Sequence, residues 1–189
     1  MSNIQQAFDS RKGVWRIKDI FDFHRFANDD FSAHMDYCAE ISKGKRVLDM
    51  GFRWGQSTAA FLVGAKSVKT FDINECLEGR EIFDEAVEVD KAYWEFVWKD
   101  SLSVDPEECD ILFIDTDHTG DQVYAELTLH HAAVNDGGLI VMHDTQAFSS
   151  MRNGIRQFIS ENEQWGVLKH FVHSNGLTVL HRGRSEEAL

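Results

Sequence analysis

The sequence predicts an α/β fold, a doubly wound and mainly parallel sheet of seven strands that ends in an antiparallel hairpin. Three observations carry this. Val47-Leu48-Asp49-Met50-Gly51-Phe52-Arg53-Trp54-Gly55, followed by Phe71-Asp72, has the pattern of a buried strand, a glycine turn, a helix and a second strand ending in a carboxylate. Residues 109–115 are a near-continuous apolar run bounded by Asp115, as expected of a strand covered on both faces. Ser174-Asn175-Gly176 separates two β-rich runs, which is a hairpin signal.

Taken in order, residues 1–42 are expected to form an N-terminal helical cap. Within it Asp30 can cap a segment whose apolar members Phe31, Met35, Cys38 and Ile41 recur at helical spacing. The first strand, 46–49, breaks at Gly51, where the missing Cβ permits a sharp turn and close approach to a ligand. Gly55 opens a helix over 56–62 that Gly64 can end as a left-handed cap. Residues 66–71 read as the second strand, and Asp72 sits just past it, where a carboxylate can accept hydrogen bonds from both hydroxyls of a ribose. An acidic helix over 75–89 and a third strand over 93–98 follow. After the fourth strand come a helix over 120–134, a turn at Gly137-Gly138, a fifth strand over 139–142 and a helix around 152–160. The hairpin strands are 166–172 and 177–180.

At 189 residues, 43% of them apolar, the chain is long enough for one substantial core and short for two, so a single domain over 1–189 is expected. The net charge of −13 repels a phosphate backbone and argues against a nucleic-acid partner. Cys38, Cys76 and Cys109 are odd in number and far apart, which favours free thiols in a reducing compartment over a disulfide framework. The opening Met1-Ser2-Asn3-Ile4-Gln5-Gln6 has neither a charged nor an apolar leader region, and no stretch approaches bilayer-spanning length. A cytoplasmic location without a membrane partner is therefore expected.

The glycine loop narrows the ligand. A dinucleotide needs Gly-x-Gly-x-x-Gly, because its pyrophosphate approaches the backbone at the middle glycine. Here Arg53 holds that position in a Gly-x-x-x-Gly pattern, which argues for a nucleoside without phosphates, such as S-adenosylmethionine. Any tight strand-to-helix turn could share the loop pattern; Asp72 at the right distance favours the nucleoside.

Five segments in order then resemble the class I S-adenosylmethionine-dependent methyltransferases over roughly residues 40–182. They are residues 47–57, Phe71-Asp72, Lys99-Asp100-Ser101, Phe113-Ile114-Asp115-Thr116-Asp117-His118 and residues 137–144. The closest likeness is to the small-molecule O-methyltransferase branch, with its macrocin, catechol O-methyltransferase and cephalosporin hydroxylase-like members. The resemblance implies a Rossmann-like sheet in the order 3-2-1-4-5-7-6. It also implies that Gly51 and Gly55 line the methionine moiety, that Asp72 holds the ribose and that Asp100 and Ser101 meet the adenine edge. Asp49, Ser57 and Asp115 join them as cofactor-binding residues. For Asp100 a turn or helix cap is the alternative.

In catechol-type relatives, positions matching Asp115, His143 and Asp144 hold magnesium through oxygen ligands. Imidazole at His143 suits manganese, iron or zinc better, so both the metal (magnesium or manganese) and its necessity stay open. The alternatives are a strand-end carboxylate that caps the next helix, for Asp115, and a metal-free hydrogen-bonded pair, for His143-Asp144. His118 stands where such relatives place a catalytic lysine, and is the expected general base, with Asp117 able to orient it and Asp115 as the second catalytic residue. His24, His34, His130, His131, His170, His173 and His181 have no spacing that argues for chemistry and read as structural. Phe8, Trp15, Phe21, Phe23, Phe26, Phe31 and Tyr37 either roof an apolar acceptor or pack the N-terminal helices on the sheet. These additions are short, which leaves the site open or completed by a second subunit.

The expected function is methyl transfer to a hydroxyl or amine of a small molecule, such as a sugar or secondary metabolite. Two rivals are a protein that binds the nucleoside without transferring methyl, and a nucleic-acid methyltransferase. Net charge and the lack of an Asn-Pro-Pro-Tyr-type tetrad disfavour the second.

Overall fold

Alternate residues of the central strands are buried on opposite sides of one sheet in the computed structural model, which describes residues 13–27 and 29–183. Strands β1 (Arg46–Met50), β2 (Ser67–Asp72), β3 (Trp94–Trp98), β4 (Cys109–Ile114) and β5 (Val134–His143) are parallel. After β6 (Trp165–Phe171), β7 (Leu177–Arg182) returns antiparallel between β5 and β6. The order is β3-β2-β1-β4-β5-β7-β6, as expected.

The helices divide between the faces. Val47, Ile111, Phe113 and Val141 pack against α1 (Ile17–Ala27), α2 (Asp29–Ile41), α3 (Gln56–Leu62) and α4 (Leu77–Asp90), through Ile20, Met35, Phe61 and Phe83. Leu48, Leu112, Ile114 and Met142 pack against α5 (Gly120–His130) and α6 (Ser149–Glu161), through Val123, Leu127, Ile155 and Phe158. Because neighbours in β4 bury opposite faces, no position from Ile111 to Ile114 can be polar without cost. That is why it reads as continuous rather than alternating. No helix among the described residues is long and apolar enough to cross a membrane.

Four local expectations are corrected. Gly64 is not a left-handed cap: α3 closes at Val63 with φ −60°, and a Cβ on Gly64 would stand 3.1 Å from Lys43 Cγ and 3.3 Å from Ala39 O. It is small because the end of α2 passes over it. The helix expected over 120–134 stops at His130 and, after a 3-10 turn at His131–Ala133, gives way to β5. Gly137 and Gly138 therefore lie inside a long strand, at a bulge marked by φ 73° and by the register shift between Cys109 and Ile111. Asp30 lies inside α2, which starts at Asp29.

Register brings the chemistry to one edge. Met50 faces Phe71 and Ile114, and Ile114 faces Met142, so Gly51, Asp72, Asp115 and His143-Asp144 emerge together at the carboxyl ends of the strands. The β6–β7 turn reaches the same edge, where Asn175 O accepts from Gln146 N at 2.7 Å and Ala147 N at 2.9 Å.

Candidate functional site

Two cavities open at that edge. The larger, about 900 Å³, is lined by Gly51, Asp72, Asp100, Ser101 and Asp115 among others; the smaller, about 380 Å³, by Gly51, Ser57, Asp115, His118, His143, Asp144 and Asn175. Gly51, Arg53, Trp54, Asp115 and Thr116 line both.

The glycine loop is held from below and from the side. Asp49 is fully buried: Oδ1 accepts from Ser57 Oγ at 3.1 Å, and Oδ2 accepts from the Thr58 and Thr70 hydroxyls. It thereby ties β1, β2 and the start of α3 together, and it lines neither cavity. Burial pushes its pKa up to about 7, against the opposing pull of the Thr58 and Ser57 hydroxyls. A Cβ on Gly51, at φ 103°, would stand 2.1 Å from the Asp115 carbonyl oxygen. Glycine is thus required by the neighbouring strand end, before any ligand arrives. Gly55, at φ 76°, has its Cβ position filled by Phe83 and Phe52 and is absent from both cavity walls. Ser57 lines the smaller cavity, with its hydroxyl committed to Asp49.

Asp72 lines the larger cavity with its carboxylate already engaged. Oδ2 accepts from Phe52 N at 2.9 Å and Arg53 N at 3.0 Å, and Oδ1 from Asn74 N at 2.7 Å. The acid that lines the larger cavity is also the clamp that shapes the loop. Asp100 accepts from Leu102 N at 2.9 Å as the cap of a 3-10 turn, the alternative set out above, while still lining the cavity. Ser101 Oγ donates to Glu126 Oε1 at 2.5 Å.

Glu126 was missed by the sequence reading. Fully buried, it also accepts from Thr116 Oγ1 at 2.8 Å and Gln122 Nε2 at 3.1 Å, and burial raises its pKa. It gathers three walls of the larger cavity. Its signal was an acid on the apolar face of α5, spaced with the buried Val123, Leu127 and His130. Trp54, Ser174 and Asn175 were likewise given no site role, although each lines a cavity, and Phe31, one of the aromatic residues that could roof an acceptor, lines the smaller one. Of the aromatic residues near the amino terminus, Trp15, Phe21 and Phe31 are buried and Phe26 is exposed. Phe8 lies outside the described residues.

The acidic and imidazole groups converge, with one exchange of partners. His118 Nε2 is 2.8 Å from Asp144 Oδ2 and 3.5 Å from Asp115 Oδ1, and its ring stacks on Phe148 at 4.6 Å. Asp115 and Asp144 hold the His118 pKa above the usual histidine value. His143, nearly buried, has Nδ1 3.1 Å from Asp144 Oδ1 and 3.8 Å from Asp115 Oδ1, while its Nε2 faces away, toward His34. Asp144 Oδ1 is buried and has no hydrogen-bond donor among the described residues. Among the described residues, the donors that meet within 4.8 Å of one another are those of Asp115, His118 and Asp144. Two carboxylates, one of them with an orphaned oxygen, and an imidazole fit a divalent ion of mixed nitrogen and oxygen preference.

Backbone strain marks the same place. Six non-glycine residues among those described have positive φ, and five of them line the cavities: Arg53 at 46°, Cys76 at 51°, Asp144 at 60°, Ser174 at 50° and Asn175 at 65°. Such conformations persist only where surrounding contacts impose them.

Comparison with known proteins agrees with this geometry. A family described as a methyltransferase domain matches residues 48–145, just over half of the chain and nearly the whole interval from β1 to Asp144. The matched family and the seven-stranded sheet define a methyltransferase domain. The chain belongs to that methyltransferase-domain family. No curated protein matches the sequence at a significant level. Among solved structures, it is similar to an O-methyltransferase from Bacillus cereus in complex with SAH, at 18% identity and TM-score 0.66 over 96% of this chain and 97% of that one. The SAH-bound methyltransferase PaMTH1 from Podospora anserina is similar at 14% identity and TM-score 0.67, over 98% of both chains. A putative SAM-dependent methyltransferase from Streptococcus mutans matches at 14% identity and TM-score 0.61, over 80% of this chain, which spans only 48% of that protein. At these identities the likeness is one of fold.

Proposed function

We propose that the protein transfers the methyl group of S-adenosylmethionine to a hydroxyl, or an amine, of a small molecule such as a sugar or secondary metabolite. One observation carries the reading: two cavities of unequal size meet along a shared wall of Gly51 and Asp115, and only the smaller contains the imidazole and carboxylate cluster. A volume of about 900 Å³ suits a nucleoside cofactor, and about 380 Å³ suits a small acceptor.

S-adenosylmethionine bound in the larger cavity would supply an electrophilic methyl group on a sulfonium. Asp72 would accept from the ribose hydroxyls, Asp100 and Ser101 would flank the adenine, and Gly51 would lie beside the methionine. Asp49, Gly55 and Ser57 contribute by fixing the loop. In the smaller cavity, Asp115 and Asp144 orient the acceptor. His118 Nε2 is 2.8 Å from Asp144 Oδ2; with the proton on that nitrogen, neutral His118 would carry its lone pair on Nδ1, and that atom would take the acceptor proton. The carboxylates then stabilise the imidazolium, consistent with the raised His118 pKa. A divalent ion, held by Asp115, Asp144 and His118, would instead acidify the acceptor hydroxyl directly. His143 stands behind that set.

Label transfer from methyl-labelled S-adenosylmethionine to panels of hydroxylated small molecules, amines, RNA and protein is the test, with S-adenosylhomocysteine titrated in parallel. Expected are measurable nucleoside binding and label in small molecules alone. Label found in RNA or protein, or binding with no transfer to any acceptor class, would overturn the proposal.

A further inference from the structure

We propose that Glu126 is a positioning residue that sets the base specificity of the larger cavity: by taking the hydroxyl hydrogens of Ser101 and Thr116 it presents both oxygens to the ligand as acceptors, which suits the amino group of adenine and opposes a 6-oxo purine. The inference rests on the methyltransferase reading above, and deepens it.

Glu126 is fully buried on the apolar face of α5, beside Val123, Leu127 and His130. A leucine would fill that place without burying a carboxylate, so packing alone does not account for an acid. Three segments meet on it. Its Oε1 accepts from Ser101 Oγ at 2.5 Å, in the turn after β3, from Thr116 Oγ1 at 2.8 Å, just past β4, and from Gln122 Nε2 at 3.1 Å, in the first turn of α5. Thr116 Oγ1 is also 2.9 Å from Oε2. All three donors line the larger cavity, whereas Glu126 stands behind them.

The direction of these bonds follows from the inventory of hydrogens. A carboxylate has none to give, so each contact takes its hydrogen from the partner. Burial raises the Glu126 pKa, while the hydrogen bonds from Ser101, Thr116 and Gln122 oppose that shift and favour the charged form. A hydroxyl has one hydrogen. With that hydrogen turned inward, Ser101 Oγ and Thr116 Oγ1 have only lone pairs to offer, and among the described residues nothing donates to either oxygen. Asp100, whose carboxylate lines the same cavity, adds acceptors beside them. The two N–H groups on C6 of adenine find partners on such a wall. A carbonyl oxygen at C6 would instead face lone pairs, and the hydroxyls could not turn to meet it without giving up Glu126.

Calorimetric titration with S-adenosylhomocysteine and with its deaminated counterpart, S-inosylhomocysteine, tests this through the ratio of the two affinities. The wild type is expected to bind the adenosyl compound roughly tenfold or more tightly. In Glu126→Leu the hydroxyls regain hydrogens for the cavity, and the ratio should fall toward one. Glu126→Gln should keep most of it, because a single carbonyl oxygen can receive the three donors that already meet at Oε1. A merely structural Glu126 would weaken both nucleosides alike and leave the ratio unchanged in Glu126→Leu, which would overturn the proposal. Should that variant fail to fold, Ser101→Ala takes its place: removing one acceptor should lower the ratio, and an unchanged ratio would count against the proposal equally. Binding of both nucleosides by the wild type without preference rejects this inference alone, whereas binding of neither rejects the methyltransferase reading together with it.

Discussion

Buried and half-buried acids of similar appearance have different tasks at this edge, and substitutions separate them. Asp72→Ala removes both the proposed ribose acceptor and the loop clamp, so S-adenosylhomocysteine affinity should fall by roughly 1.5 to 3 kcal/mol in calorimetric titration. Unchanged affinity would remove Asp72 from the site. Asp49 contributes through stability. Its folded pKa of about 7 lies above the ordinary 3.8, so the folded state binds the extra proton. The stability this provides is full below pH 4 and is lost as pH rises to 7, by at most roughly 4 kcal/mol. Relative to Asp49→Asn, wild-type unfolding free energy in urea should decline across that window and level off above it; parallel profiles would refute the burial argument. His118→Ala should lower turnover by roughly 10²- to 10⁴-fold in chelator while leaving cofactor affinity intact. If Asp115, His118 and Asp144 hold an ion, manganese should support wild-type turnover at least as well as magnesium, and the variant should lose that response. Wild-type activity in the variant under both conditions would move proton removal elsewhere. Asp115, His118 and Asp144 were legible in sequence because strand ends fix where they emerge. The exchange of His118 for His143 in the convergent set was not, because which imidazole turns toward the two carboxylates is settled by packing between elements distant in the chain, His143 Nε2 lying 3.3 Å from His34 Nδ1.

At the scale of elements, two glycines at close crossings provide a matched pair. A Cβ on Gly154 would stand 2.3 Å from Gly120 O, where α6 crosses α5, and one on Gly176, at φ 93°, would stand 2.4 Å from Gln146 N. Both alanine variants should lose about 1 to 3 kcal/mol of stability by denaturant titration, since backbone must shift to admit the methyl group. Only Gly176→Ala should also lose turnover, because its turn braces residues 145–147, directly after Asp144, through Asn175 O. Equal turnover in the two variants would separate the hairpin from the site. The hairpin itself was plain in Ser174-Asn175-Gly176, whereas its contact with the segment after β5 was not.

For the whole molecule, a nucleoside bound only by the folded state links the site to global stability. S-adenosylhomocysteine at about 100 times its dissociation constant should contribute roughly 2.7 kcal/mol. For a chain of this size that corresponds to a rise in melting temperature of roughly 5 to 10 °C, read by scanning calorimetry. NAD at equal concentration should give no shift. The reverse result would return the glycine loop to dinucleotide binding and reject the Arg53 argument.

Sequence by itself determined the layers and the edge. The period of burial in β4, the strand-helix-strand-acid unit and the hairpin turn are local patterns, and local sterics and hydrophobicity suffice to read them. They were enough to order the motifs along one carboxyl edge. Tertiary structure alone decided why particular residues are there. Gly51 answers to the Asp115 carbonyl, Gly64 to the end of α2 and Gly55 to Phe83, each a contact between segments distant in the chain. The same holds for Glu126 beneath the larger cavity and His34 behind the smaller one. Their partners are set by packing across the sheet, and hydrogen-bond direction among buried groups is a property of the assembled network that no single segment encodes.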